Sequence, residues 1–316
     1  MNSHSRFHSI AWPAGNPAET LPLWVDQNLE AFIEWALAES FAQNEALKCP
    51  PNLGESIRYS LLAPGKRIRP RLAIACGHLF QIAPHAALAA GAAIEMIHCF
   101  TLIHDDLPCM DNDDFRRGRP SNHKVYGEAM ALLAGDALVA CATDTLMIAE
   151  GAVPDSALLR AIRRLSWAAG PRGVIGGQAM EPLLSKTSTL SDLEKMFAGK
   201  TGALFAASLL LPLDLAGIDE STREGAVTAR FARELGYAFQ VADDLEDAEA
   251  PDSKEAEKPQ SILYFLSSTE AATQTSARLS RSIDELRTLF GARASGLADI
   301  GGEVLKKLAL RMKKTT

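Results

Sequence analysis

The sequence predicts an all-α protein, a single large helical bundle. Three observations carry that expectation. Long Ala- and Leu-rich runs place apolar residues at helical spacing, chain breakers fall between the runs, and no strand-rich block interrupts them. Trp24, Leu29, Phe32, Ile33 and Leu37 mark the first run. Residues 72–80, 87–104 and 127–149 follow, with little period-two alternation. Residues 223–247 and 279–290 read the same way. Pro50-Pro51, Pro64-Gly65, Pro84, Pro108, Pro120, Pro154, Pro171, Pro212 and Pro251 punctuate the pattern. No internal repeat is visible, so the layout is one bundle from residue 21 to 316 behind a loose segment, 1–20.

The chain has 316 residues, of which 47% are hydrophobic, enough for a large core. Its net charge of -7 argues against a nucleic-acid partner, because phosphate backbones select basic faces. A phosphorylated substrate would then need a local remedy, either clustered Arg and Lys or a bridging metal. The five cysteines form no C-x-x-C pair and read as reduced thiols of a cytoplasmic protein. Residues 1–20 lack the charged start and apolar core of a signal peptide. The most apolar stretch, 203–213, reads as too short to span a bilayer and contains Pro212, so no transmembrane segment is expected.

Two acidic clusters stand out. The first holds Asp105, Asp106, Asp111, Asp113 and Asp114 at the end of a strongly apolar helix. On an uninterrupted helix Asp111 would point away from Asp105; a break at Pro108 can turn it back. In the second, Gln240, Asp243, Asp244 and Asp247 share an arc of about 100° on one helix face. A solvated face is the ordinary reading of such a cluster. It fits poorly here, because Phe100 to His104 precede one group, and Phe239, Val241 and Ala242 surround the other. Packed carboxylates repel unless a cation sits among them. Hard oxygen ligands suit Mg²⁺, which shares its coordination with substrate phosphates and makes a diphosphate a better leaving group.

Basic residues accompany the acidic ones. Gly65-Lys66-Arg67-Ile68-Arg69 puts Lys66 and Arg69 one helical turn apart, Arg116-Arg117-Gly118 follows the first cluster, and Lys200-Thr201-Gly202 lies between the two. Arg suits bidentate phosphate contacts and Lys acts as a point charge. Lys306, Lys307, Arg311, Lys313 and Lys314 near the C-terminus read as solvated charge, and His104 as a satisfied polar contact.

The run from Glu95 through the Asp105-Asp106-Leu107-Pro108-Cys109-Met110-Asp111 segment to Gly118 resembles the first aspartate-rich region of trans-isoprenyl diphosphate synthases. Gly65-Lys66-Arg67, Gly135-Asp136, Gly176-Gly177-Gln178, Lys200-Thr201-Gly202 and the segment from Phe239-Gln240 to Asp247 match further motifs in the family's order. The resemblance covers roughly residues 56–259 and implies an isoprenoid-synthase-type helical bundle around a central cavity, usually a homodimer. It implies three Mg²⁺ ions bridging an allylic diphosphate to Asp105, Asp111 and Asp243, supported by Asp106, Asp244 and Asp247. Arg116, Lys200, Gln240 and Lys258 would contact the allylic diphosphate. Lys66, Arg69, His98 and Arg117, beside Gly65, would bind isopentenyl diphosphate. The implied chemistry is head-to-tail condensation, with Lys200, Thr201 and Gln240 stabilising the carbocation.

The sequence departs from the family pattern at Pro64, at Glu181 where Asp is usual, at Glu246 where an apolar residue is typical, and at Gln260 where Thr is common. Phe100 and Thr101, one turn before Asp105, would form the floor that sets chain length. A bulky aromatic at position 100 favours a fifteen-carbon product, farnesyl diphosphate, over geranylgeranyl diphosphate. A terpene cyclase would leave Lys66, Arg69 and Arg117 unexplained, a non-catalytic subunit would have lost one Asp motif, and a metal phosphohydrolase built on His104-Asp105 would leave the second cluster without a role.

Overall fold

The computed structural model describes residues 7–12, 17–38, 49–250 and 253–314. Among them the chain forms thirteen α-helices, several short 3₁₀ turns and one two-stranded hairpin, the all-α architecture expected. Residues 1–6 and 13–16 of the segment expected to be loose lie outside the described residues; of the rest, Phe7 is buried against Phe32. The chain divides into two compact units, Met1–Leu165 with Asp214–Gly217, and Ser166–Leu213 with Ile218–Thr316.

In the first unit α1 (Pro17–Ala38), α2 (Pro51–Leu61) and α3 (Ile68–Leu79) lead to α4 (Pro84–Asp105). Pro51 and Pro84 open their helices at the first turn, where the missing N–H costs nothing. Every residue of α4 from His85 to Ile97 is buried, as a helix that is apolar all round must be. Its small residues allow close approach: a Cβ on Gly77 of α3 would come within 2.6 Å of Ala87. A hairpin follows, β1 (Phe115–Arg116) pairing antiparallel with β2 (Arg119–Pro120). Arg117 and Gly118 make its two-residue turn with φ of 53° and 76°, positive at both positions as a type I′ turn requires. This hairpin has no counterpart in the helical reading of the sequence. Beyond it come α5 (Asn122–Tyr126), α6 (Glu128–Leu146), which packs on α4, and α7 (Asp155–Ala169).

The second unit contains α8 (Val174–Met180), α9 (Leu190–Phe197), a five-residue π-helical turn (Ala198–Gly202) and α10 (Ala203–Leu215), which ends in the first unit. Next are α11 (Arg223–Asp247), α12 (Ser268–Phe290) and α13 (Ser295–Lys314), packed on one another. Thr189 and Asp192 form a capping box on α9, Ser267 and Glu270 form another on α12, and Thr222 caps α11. Pro212 is not a breaker between runs: it lies inside α10, near the C-terminal end, where one lost backbone hydrogen bond is tolerated.

The apolar stretch 203–213 belongs to a longer apolar segment than its own length shows. The π turn joins α9 to α10 without interruption, and Leu190–Leu215 is long and apolar enough by length and composition. Pro84–Asp105 and Glu128–Ala149 meet the same criteria. The apolar windows of Pro84–Asp105 and Leu190–Leu215 are 83% and 78% buried within the protein, so core packing accounts for their hydropathy.

Candidate active site

The expected site residues divide between the two units. In the first, α4 ends at Asp105 and the chain reverses within a few residues. Leu107 N–H donates to the carbonyl of His104 (3.1 Å), Met110 and Asn112 donate to that of Leu107 (2.9 and 3.1 Å), and Asp111 N–H donates to that of Asp105 at 2.8 Å. Asn112 completes the reversal at φ 55°, a conformation Asn tolerates. Asp105 and Asp106 thus stand at the negative end of the α4 dipole, where a carboxylate is unfavourable without a cation.

Arg116 supplies one cation. Its guanidinium donates to Asp106 from Nε at 2.8 Å and from Nη2 at 2.5 Å, and to Asp113 at 2.7 Å. Asp106 is 2% exposed, and burial pushes its carboxyl up in spite of Arg116. Lys124 pairs with Asp114 at 2.7 Å. Asp106 therefore anchors Arg116 of the hairpin.

The basic loop before α3 is built around Arg67. Its backbone sits at φ 46°, and its side chain is buried, donating to Asp26 (2.9 Å), Glu95 (2.6 Å) and the carbonyl of Ala63 (2.8 Å). Glu95, 3% exposed on α4, also lies 3.9 Å from the Arg117 guanidinium. A Cβ on Gly65 would approach that guanidinium to 3.0 Å, so glycine leaves Arg117 its place. Lys66 is exposed. His98, half-buried on α4, is held well below the ordinary histidine range by burial and by the charges of Arg69, Arg117, Arg67 and Arg116. The guanidinium groups of the loop and the hairpin thus add to burial in disfavouring the charged form of His98. Thr101 turns its hydroxyl back to the carbonyl of His98 (2.8 Å), and Phe100, 6% exposed, packs its ring edge-on to His104. His104 Nε2 lies 3.0 Å from the carbonyl of Leu132, over Gly135, where a Cβ would stand 2.1 Å from Nε2.

In the second unit the π turn carries Lys200 and Thr201; single π turns are frequent at functional sites. Gly177 packs against it so closely that a Cβ would lie 2.0 Å from the Lys200 nitrogen. The Lys200 ammonium pairs with Glu181, which also accepts from Gln178 at 3.1 Å. Gln260 donates to the carbonyls of Glu181 (3.3 Å) and Leu184 (3.4 Å). Two of the four departures from the family pattern, Glu181 and Gln260, therefore meet in one cluster. A chain of hydrogen bonds then runs from Thr201 to Gln240 (2.6 Å), from Gln240 to Asp244 Oδ1 (2.9 Å), and from the Ile262 N–H to Asp244 Oδ2 (2.8 Å). Asp244 is 5% exposed, and burial pushes its carboxyl up to about 6 against those hydrogen bonds. Asp247 is also pushed up, by burial and then by Glu255, Asp243 and Glu246. Lys258 pairs with Glu255; residues 251–252 of the loop 248–260 lie outside the described residues.

Two C-terminal basic residues are not the solvated charges expected. On α13, Lys307 pairs with Asp243 at 2.6 Å and Glu246 at 2.7 Å, and Arg311 pairs with Glu246 at 3.3 Å and with Glu249. The two lie one turn apart, so the face that packs on α11 carries both. The pairings of Arg67 with Glu95 and of Lys307 with Asp243 escaped the sequence reading for one reason: the partners are distant in the chain. The buried apolar run around Glu95 was the available signal for a charge that needs a partner.

Asp105 and Asp111 in one unit and Asp243 in the other offer hard oxygen donors suited to Mg²⁺. Among the described residues no three His, Cys, Asp or Glu side chains converge on a metal position by themselves.

A family model described as polyprenyl synthetase matches residues 50–261. A farnesyl diphosphate synthase of Geobacillus stearothermophilus is 46% identical over 213 residues, covering 66% of this chain and 71% of that one. A chloroplastic geranylgeranyl pyrophosphate synthase of Capsicum annuum is 42% identical over 218 residues, covering 68% of this chain and 58% of the relative, less than two thirds of its length. Among solved structures, an apo FPP/GFPP synthase from Zymomonas mobilis superposes with a TM-score of 0.77 at 33% identity, covering 91% of this chain and 98% of that one. A geranyltransferase from Legionella pneumophila gives 0.80 at 29% identity, with 93% and 99% covered. With helices, motifs and relatives in agreement, the chain belongs to the polyprenyl synthetase family and is a transferase.

Proposed function

We propose that this protein is a short-chain isoprenyl diphosphate synthase that condenses isopentenyl diphosphate with an allylic diphosphate. The observation that carries the reading is the turn after α4, which returns Asp111 to Asp105 beside the cluster of guanidinium groups around His98. Asp105, Asp111 and Asp243 are the residues assigned to Mg²⁺, three ions by family resemblance. When bound, the metal neutralises the diphosphate and makes it a better leaving group. Lys66, Arg69, His98 and Arg117 bind isopentenyl diphosphate. Arg116, oriented by Asp106, and Lys200 and Lys258 contact the allylic diphosphate. Thr201 and Gln240, hydrogen-bonded to each other and tied to Asp244, are the polar groups assigned to stabilise developing positive charge.

Farnesyl diphosphate is the proposed product. Phe100 is a buried aromatic five residues, about 7.5 Å of helix rise, before Asp105. Relatives named for both the farnesyl and geranylgeranyl products are close, so the assay has to decide. Purified protein with Mg²⁺, isopentenyl diphosphate and a dimethylallyl, geranyl or farnesyl primer should accumulate a fifteen-carbon diphosphate. A twenty-carbon product would retain the reaction and reject Phe100 as the floor. No elongation from any primer by folded protein would reject the reaction itself. A cytoplasmic homodimer belongs to the same reading. Leu132 and Leu133, 46% and 53% exposed on α6, supply apolar surface for a second copy, and light scattering on the purified protein tests it.

A further inference from the structure

We propose that Lys307 is a displaceable counter-ion for Asp243, and that it makes metal binding at the second aspartate motif depend on the diphosphate. The proposal rests on the reading of Asp243 as a metal ligand.

Lys307 stands where it can do this. Its ammonium lies 2.6 Å from Asp243 and 2.7 Å from Glu246, with its side chain 22% exposed. Its nitrogen lies 5.5 Å from the centre of the Phe239 ring. The site therefore has a cation where a metal would approach Asp243. A divalent ion arriving alone meets a neutralised carboxylate and a like charge a few ångströms away. Glu246 changes the consequence. It gives Lys307 a second carboxylate, so the ammonium can leave Asp243 without leaving the site. Arg311, bound to Glu246 and to Glu249, fixes that carboxylate from the other side. A diphosphate supplies the negative charge that lets the ammonium and the metal coexist. Metal and diphosphate then bind together more strongly than either alone. Glu246, atypical for its motif, gains a function as the resting partner of Lys307. Lys307 acts through Asp243 and is a positioning residue.

The test is direct metal binding. Mn²⁺ is titrated into the full-length protein and followed by the paramagnetic signal of the free ion, with and without inorganic pyrophosphate. In wild type, pyrophosphate should strengthen Mn²⁺ binding markedly. Lys307→Gln should tighten Mn²⁺ binding without pyrophosphate by about fivefold, the scale of one partly shielded ion pair. The ratio between the two conditions should shrink accordingly. Lys307→Met, which keeps the stem beside Phe239, repeats the measurement if Lys307→Gln melts early in circular dichroism. Unchanged or weaker Mn²⁺ binding in a folded variant overturns the counter-ion role. Asp243→Asn separates the two readings: if it leaves every Mn²⁺ titration as in wild type, Asp243 is no ligand and the underlying assignment is what fails.

Discussion

The backbone N–H of Asp111 donates to the carbonyl of Asp105 at 2.8 Å, so the two carboxylates assigned to the metal leave one tight turn rather than opposite faces of a helix. Pro108 favours this turn, because a proline disfavours helical geometry at the residue before it, Leu107. Replacing Pro108 with Ala should let the helix continue and carry Asp111 away from Asp105. Turnover should fall roughly 10²-fold or more, the scale of losing a charge-stabilising group, while circular dichroism stays near wild type. Near-normal kcat in Pro108→Ala would show that the turn is dispensable.

Arg67 and Glu95 form a buried pair, with side chains 3% and 4% exposed. Removing Arg67 alone leaves the Glu95 carboxylate, among the described residues, only the more distant Arg117 guanidinium, at 3.9 Å. Arg67→Met should cost about 3–5 kcal/mol in urea denaturation. The double variant with Glu95→Gln should recover part of that loss, because the stranded charge goes with it. Equal stability of the single and double variants would mean that Glu95 draws its compensation elsewhere.

Gly177 touches the π turn. A Cβ there would stand 2.0 Å from the Lys200 nitrogen and 2.5 Å from the Gly199 carbonyl carbon, both backbone atoms. Gly177→Ala should destabilise the protein by roughly 1–3 kcal/mol, and kcat should fall as Lys200 and Thr201 move. Thermal melting and steady-state kinetics on the same preparation check both parts; an unaltered kcat would detach the π turn from the chemistry.

Asp244 predicts a pH dependence. Burial raises its carboxyl from an ordinary 3.8 to about 6, so between those values the folded protein binds the proton more tightly than the unfolded chain. Stability from this group is therefore present at low pH and lost as pH rises through about 6, a cost of roughly 3 kcal/mol at neutral pH. In metal-free protein, the difference in unfolding free energy between pH 5 and pH 7 should be more favourable to pH 5 in wild type than in Asp244→Asn. Identical differences in the two proteins would remove Asp244 as the source.

Phe100→Ala opens space five residues before Asp105. The product should lengthen from fifteen carbons toward twenty, read by chromatography of the dephosphorylated alcohols. The cavity should also cost about 3–5 kcal/mol of stability. A product of unchanged length would place the floor at another residue.

The sequence by itself determined the helical class and the runs that form α1, α3, α4, α6, α11 and the second half of α12, because apolar spacing is a local signal; α2, α5, α7, α8, α9 and α13 were not read from it. Residues 223–247 were delimited to the residue, as Thr222 and the breakers beyond Asp247 are adjacent in the chain. The two aspartate motifs and their basic companions were legible for the same reason. The reversal at Pro108 was legible as a possibility; its closure on the Asp105 carbonyl came from the backbone path. Tertiary structure alone decided which charges meet. Arg67 finds Glu95, Lys200 finds Glu181, and Lys307 finds Asp243 across stretches that carry no pairing signal, because an ion pair depends on distance in space and burial, not on separation in sequence. The two-strand hairpin that carries Arg117 was likewise invisible, since Arg at a positive φ is held by its surroundings rather than by its own preference.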